Sequence, residues 1–348
     1  MTASTTISAL LLDWYDRHAR SLPWRSPPGT SPPDAYRVWL SEVMLQQTTV
    51  SAVKPYYERF LARWSDVEAL AAAPGEEVMA AWAGLGYYSR ARNLIACARE
   101  VAAMGGFPES EAELLRLPGL GAYTAAAIAA IAFGRRAVVV DANVERVVAR
   151  LYAIADPLPG ARKAIRAYAD DITPQQRVGD FAQAMMDLGA TICTARDPRC
   201  TSCPLSDQCL GRIGGNPAAL PVKAPKRVRP ERSGRAFWIG KQGAVWLVHR
   251  AGTGLLGGMR ALPDDGWNAG CDGAGEPPLH GPWARAGSVQ HIFTHFSLNL
   301  SVLQYQGTDF SALEGQAGDW WPLARLDEAG LPTVFAKAAA RMLAQEDG

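Results

Sequence analysis

Apolar residues recur at helical intervals through the front of the chain. The spacing predicts a helix that carries Val38, Trp39, Val43, Leu45 and Thr49, with positions 38, 42, 45 and 49 on one face. After residue 236 the period changes. Phe296, Leu298, Leu300 and Val302 alternate with other residues as on a strand, while Phe237–Trp238–Ile239 and Val245–Trp246–Leu247–Val248 flank a KQG turn. Between these two regimes Gly211 to Arg235 reads GRIGGNPAALPVKAPKRVRPERSGR, rich in Gly, Pro and basic residues and without either period, which is the composition of a linker. The expected organisation is a helical domain over residues 1–210, a linker over 211–235 and a smaller α+β domain over 236–348, with no internal repeat.

A chain of 348 residues with 48% apolar content can bury two cores. Its formal net charge of +1 excludes a protein that is basic all over, so any nucleic-acid binding must rest on local patches. The positive charge leans toward the front. In the linker, Lys223, Lys226, Arg227, Arg229, Arg232 and Arg235 either follow a phosphate backbone or form a solvated tether. The N-terminal apolar run lacks a preceding basic region and is interrupted by Asp13, which speaks against a signal peptide. The longest apolar stretch, Tyr123 to Phe133, falls short of the roughly 20 residues that cross a bilayer, so a soluble intracellular protein is expected.

Four cysteines change the picture. Cys193, Cys200, Cys203 and Cys209 are spaced C-x6-C-x2-C-x5-C, which one loop can fold around a single metal centre. A tetrahedral zinc site usually shows two close pairs, and here only Cys200 and Cys203 are close, whereas a [4Fe–4S] cluster tolerates uneven spans because each thiolate binds a different corner. Zinc, and free or disulfide-bonded thiols, remain as alternatives. Cys97, in an Ala-rich helical run, and Cys271, in a Gly-rich loop, are assigned no role.

Leu117–Pro118–Gly119–Leu120–Gly121 forms a glycine-bracketed turn between one helix ending near Leu117 and another opening at Ala122 or Tyr123. Glycines permit positive φ and close approach, and amides at the next helix start can bind a phosphate, as in a helix-hairpin-helix DNA clamp; an ordinary Gly-capped junction is the plain alternative. Glu42 shares its stripe with apolar residues, so its carboxyl should be partly desolvated and its pKa raised toward the range of a general acid, unless it is a surface residue at the stripe's edge. Asp141, immediately before VDANVERVVARL turns helical, has the position of an N-cap.

Together these motifs resemble the helix-hairpin-helix base-excision DNA glycosylases with an iron–sulfur loop, whose main branches are endonuclease III and MutY. The resemblance runs from Leu10 to about Leu210 through LPWR, WLSEVMLQQTTV, GLGYYSRARNL, LPGLGAYTAAAIAAIAFG, VDANVERVVARL and FAQAMMDLGATIC. It implies a mainly α helix-hairpin-helix glycosylase fold with the hairpin at residues 114–134 and a [4Fe–4S] loop at 193–209. The endonuclease III branch carries a Schiff-base lysine where this chain has Tyr123, and a phenol cannot form that bond, so a monofunctional, hydrolytic enzyme is implied. By the same resemblance Glu42 protonates a departing adenine at N7, Asp141 supports the oxocarbenium-like sugar, and Asn143 helps hold the site water. Ala142 stands where the family often has Gly.

A base inside a duplex must be flipped out before it can be cut. The resemblance makes Gln47 the wedge, sets Tyr87 beside the opposite base and brings Gln183 to the flipped adenine, with Gln46 and Tyr88 as neighbours able to share the work. Trp24 and Arg25 would line the pocket, and Leu117, Gly119 and Gly121 would belong to the DNA-binding hairpin. The tail is similar to the MutT-like (Nudix-like) domain of MutY proteins, in which VQHIFTHFSLNL matches a reader loop usually written FSH, here Phe293–Thr294–His295. Glu276, Glu314 and Glu328 are scattered and form no Nudix cluster, so this domain is expected to recognise 8-oxoguanine without hydrolysing it. The implied protein is a monomeric, cytoplasmic or nucleoid-associated adenine glycosylase of the MutY type. Its partner would be double-stranded DNA with 8-oxoguanine·adenine or guanine·adenine mispairs, and no membrane. An endonuclease III-like enzyme on oxidised pyrimidines, or a non-catalytic iron–sulfur DNA-binding protein, is the alternative.

Overall fold

The computed structural model describes residues 3–224, 228–250 and 254–346. Lys226 and Arg227 lie outside them. The chain divides into two compact units, Met1–Ala72 with Asn93–Lys226, and Ala73–Arg92 with Arg227–Gly348. The division differs from a single cut at the linker, because Ala73–Arg92 clusters with the tail.

The first unit is helical. It holds α1 (Ala3–His18), α2 (Ala35–Leu45), α3 (Val50–Arg63) and α4 (Val67–Ala72). The chain then passes through α5 (Gly75–Trp82) of the second unit and the shared α6 (Ser89–Met104). After these come α7 (Glu111–Leu114), α8 (Ala122–Ile131), α9 (Ala142–Leu151), α10 (Arg162–Ile172), α11 (Val178–Thr191) and α12 (Leu210–Ile213). Side-chain caps set the starts: Asp34 accepts from the Arg37 amide at 3.3 Å, Thr49 from Ala52 at 3.3 Å, and Ser110 from Glu113 at 3.3 Å. Thr49 therefore opens α3; it does not continue the Glu42 stripe, because α2 stops at Leu45 and Gln47 takes φ +57°.

Helix α8 is buried from Thr124 to Ile131, so it serves as the central post of this unit, with α2, α7 and α11 packed around it. Two glycines let α11 come close to its neighbours. A Cβ at Gly179 would lie 2.7 Å from the Ala130 carbonyl oxygen on α8, and one at Gly189 would lie 2.6 Å from the Asn143 Cβ on α9. The expected hairpin turn is present: Gly119 has φ +76°, and Gly121 is the N-cap of α8 without a side-chain cap, leaving backbone amides at the helix start.

The second unit is α+β, with β1 (Glu231–Trp238), β2 (Gly240–Lys241), β3 (Ala244–His249), β4 (Arg260–Ala261), β5 (Trp283–Ile292), β6 (Ser297–Tyr305), β7 (Asp319–Pro322) and α13 (Thr333–Glu346). One sheet runs β1-β6-β5, parallel then antiparallel; the other runs β2-β3-β4 with β7 also on β3. Leu298, Leu300 and Val302 of β6 point into a core with Trp267, Phe296 and Phe335, as the alternation predicts. The KQG turn has positive φ at Gln242 and Gly243, the geometry that suits a tight hairpin.

The linker expectation is corrected at its end. Glu231–Arg235 belong to β1, in register with Ser297–Ser301 of β6. Composition concealed this strand because Ser, Gly and Arg favour strands weakly, whereas pairing and packing decide here: Gly234 leaves room for the Trp267 ring, which a Cβ would meet at 2.4 Å. Arg235 is not free for phosphate, since it pairs with the buried Asp265 at 3.0 Å.

Gly189→Ala is expected to destabilise the protein by about 1–3 kcal/mol through overpacking against Asn143. Thermal unfolding checks this; an unchanged midpoint would mean that α9 and α11 can separate at no cost.

Candidate active site

The first unit contains a cleft of ≈ 1070 Å³ whose walls include Trp24, Arg25, Glu42, Gln47, Tyr123 and Asp141. Asn143, Gln183 and the hairpin glycines Gly119 and Gly121 line it as well. Most of the residues singled out in this half of the sequence therefore meet in one place. Leu117 does not; its side chain is buried in the core, so it anchors the hairpin from behind. Tyr87, Phe293, Thr294 and His295 belong to the other compact unit.

Glu42 lies on α2 and is only 6% exposed. The Tyr123 hydroxyl donates to its Oε2 at 2.6 Å and also contacts Met186 Sδ at 3.4 Å. Burial pushes the Glu42 carboxyl up to about 7; the Tyr123 hydrogen bond and the Arg25 charge pull it down, and Asp141 pushes it up again. Burial wins. A carboxyl of this kind holds a proton near neutral pH and can give it away. Tyr123 itself is pushed well above its ordinary value by burial and by the neighbouring Glu42 and Asp141, so it stays a neutral donor.

Asp141 is the N-cap of α9. Its Oδ1 accepts from the Val144 amide at 2.7 Å and its Oδ2 from Asn143 Nδ2 at 2.7 Å, which fixes the carboxylate's orientation. Asn143 continues the chain of contacts, because its Oδ1 accepts from Arg146 Nη2 at 2.9 Å. Arg146 also donates to the Gly189 carbonyl at 2.6 Å and to the Cys193 carbonyl at 2.7 Å. One turn further, Arg150 is 1% exposed and donates to Cys193 Sγ at 3.2 Å and to the Thr194 carbonyl at 2.7 Å.

Cys193, Cys200, Cys203 and Cys209 line one small cavity together with Arg150, Arg199 and Arg212. Burial pushes the Cys203 thiol up to about 11 and raises Cys209 as well, with the other thiols adding to both. Among the described residues no group of three His, Cys, Asp or Glu is placed for a single metal ion.

The remaining residues separate clearly. Gln47 lines the cleft in a left-handed backbone conformation, whereas Gln46 donates to Thr124 Oγ1 at 3.1 Å and is tied to α8. Gln183 is buried, with its amide donating to the Gly179 carbonyl at 3.2 Å, and Trp24 packs edge-on to Tyr57 at 5.2 Å. In the second unit Tyr87 is 43% exposed with φ +49°, while Tyr88 is buried and cannot act in its place. Thr294 Oγ1 donates to the Tyr87 hydroxyl at 3.4 Å; Phe293 stacks on Phe296 at 4.7 Å, leaving Thr294 and His295 exposed on the turn between β5 and β6.

Residues 40–170 match the HhH-GPD superfamily of base excision DNA repair proteins, and residues 235–341 match a NUDIX domain. The human adenine DNA glycosylase is 34% identical over 407 aligned positions, covering 99% of this chain and 71% of that protein. The chain belongs to the adenine DNA glycosylase family. The Arabidopsis thaliana member is 44% identical over 89% of this chain and 59% of its own length. Among solved structures, a thermostable thymine-DNA glycosylase superposes with a TM-score of 0.54 at 30% identity, over 61% of this chain and 97% of that one. The chain is thus an enzyme of base excision DNA repair, built as a helix-hairpin-helix glycosylase fold followed by a Nudix-like domain. Among the described residues no helix is long and apolar enough to cross a membrane.

Sequence reasoning passed over Arg146 and Arg150. A signal for Arg150 existed: it falls on the stripe of Val147 and Leu151, where an arginine needs buried acceptors.

With its folded pKa raised from 4.5 to about 7, protonated Glu42 stabilises the fold below the unfolded value, and that contribution is lost as pH rises through about 7. The loss is about 3 kcal/mol. Glu42→Gln is expected to flatten the fall in Tm between about pH 4.5 and about pH 7; an unchanged slope in a thermal melt series would show that the carboxyl is hydrated.

Proposed function

We propose that the enzyme hydrolyses the N-glycosidic bond of adenine paired with 8-oxoguanine or guanine in double-stranded DNA and leaves an abasic site. The observation that carries this reading is a buried Glu42 poised near neutrality beside Tyr123, in a cleft roomy enough for an extruded nucleotide. Gln47 wedges the stack, Gln183, Trp24 and Arg25 surround the flipped base, and the Gly119–Gly121 hairpin holds a backbone phosphate at the head of α8. Glu42 delivers its proton to adenine N7. The C1′–N9 bond then breaks with its electron pair leaving on the base, and the cationic sugar faces the Asp141 carboxylate. A water adds to C1′ and its proton passes to the Glu42 carboxylate, which restores the acid. Tyr123 offers no amine to C1′, so the reaction stops at hydrolysis.

The four cysteines fit a [4Fe–4S] cluster better than a single ion, because their thiols surround a small cavity and Arg150 and Arg199 beside them suit a site of net negative charge. When bound, the cluster would supply structural cross-linking of the loop that carries Arg196 toward DNA. The Nudix-like unit reads the opposite base: Tyr87 enters beside it and Thr294 offers its hydroxyl to 8-oxoguanine. The enzyme works as a monomer in the compartment that holds the DNA.

Single-turnover base release from duplexes that differ only in guanine or 8-oxoguanine opposite adenine tests the assignment. Faster release opposite 8-oxoguanine and none from Glu42→Gln are expected; equal rates for wild type and Glu42→Gln would remove Glu42 from the mechanism. Cys200→Ser is expected to lose visible iron–sulfur absorbance and to bind duplex more weakly, and full affinity in cluster-free protein would refute a structural role.

A further inference from the structure

A buried carboxylate that the proposed reaction does not use lies within reach of the same cleft. Asp187 of α11 has a fully buried side chain that accepts from the Arg20 amide at 3.1 Å, from Arg20 Nε at 2.6 Å and from Arg25 Nη1 at 2.7 Å. The Arg25 side chain is only 8% exposed, lines the cleft with Glu42, and its charge is felt by that carboxyl. The groups that face Glu42 are Tyr123 from α8, Asp141 at the head of α9 and Arg25 from the loop after α1. Those that face Asp187 are Arg20 and Arg25 from that loop and Tyr15 from α1.

Arg25 thus pairs with one buried carboxylate, Asp187, and lines the cleft with a second carboxyl, Glu42, that feels its charge; a buried guanidinium draws toward an ionised carboxylate within reach. We propose that Asp187 is a positioning residue for the reaction: by engaging Arg25, it keeps that guanidinium from pairing with Glu42, so that Glu42 remains a proton donor. The inference rests on the reading of Glu42 as the acid. Without the Asp187 charge, Arg25 turns to Glu42 and holds it as a carboxylate, which accepts protons but gives none.

The test is the pH dependence of single-turnover adenine release opposite 8-oxoguanine. Asp187→Asn, nearly isosteric and neutral, is expected to move the basic limb down by about one pH unit, with an about tenfold loss above that limb and a retained rate at acid pH. Asp187→Glu, which keeps the charge, should leave the limb close to its wild-type position. A uniform fall at every pH with the limb in place would make Asp187 a merely structural residue and overturn the proposal. If Asp187→Asn does not fold, Arg25→Gln decides, because its limb must move up, whatever the amplitude, and an unmoved limb sinks the idea. Glu42→Gln in the same series separates the two claims. Wild-type release from it overturns the acid assignment itself, whereas a silent Glu42→Gln beside an unmoved Asp187→Asn limb removes only the role of Asp187.

Discussion

Desolvation of one carboxyl is the main electrostatic constraint on the cleft of the first unit. Glu42 is carried to the cleft wall by α2, a helix buried from Tyr36 to Met44 except at Arg37, and with only 6% of its surface exposed its charge gains little from solvent. Three polar neighbours adjust the outcome in both directions, but none outweighs burial. The proton is consequently held by the shape of the core more than by any single partner. Packing that looks like stability alone, such as α8 running buried behind Tyr123, also bears on how readily the Glu42 carboxyl holds its proton.

Helix α9 joins Asp141, the second carboxylate of the cleft, to the cysteine loop. Ten residues, about 15 Å of helix, carry Asp141 as the cap, Arg146 one turn on and Arg150 near the end. Arg146 donates to Asn143 Oδ1 and to the Cys193 carbonyl, and Arg150 donates to the Cys193 thiol, so hydrogen bonds run from the start of the loop to Asn143 and through it to Asp141. The close approach at Gly189 keeps α11 tight against the same stretch. Site and loop are therefore one packed object.

Much of this was legible in the residues. The Glu42 stripe, the Asp141 cap and the LPGLG turn are local patterns, and local patterns survive folding. What escaped depends on long-range partners. Arg146 and Asp187 read as ordinary helix residues, and Arg150 as no more than an arginine on an apolar stripe, until carbonyls and guanidinium groups far away in sequence are brought to them. The first residues of β1 were hidden for the same reason, because a Ser-Gly-Arg run becomes a strand only when β6 and Trp267 are alongside. Thr49 failed in the opposite way: it keeps helical spacing with Glu42, yet the backbone breaks at Gln47 and restarts.

Ala73–Arg92 sits in the middle of the glycosylase-like sequence but folds with the tail. Arg92 donates to the Gly257 carbonyl, Thr294 reaches the Tyr87 hydroxyl, and Ala80 lies against Gly330. Removing everything after the tether would strip these supports from the loop that presents Tyr87, so a shortened chain would lose more than its Nudix-like sheets. The natural seam for dissection does not follow the order of the chain.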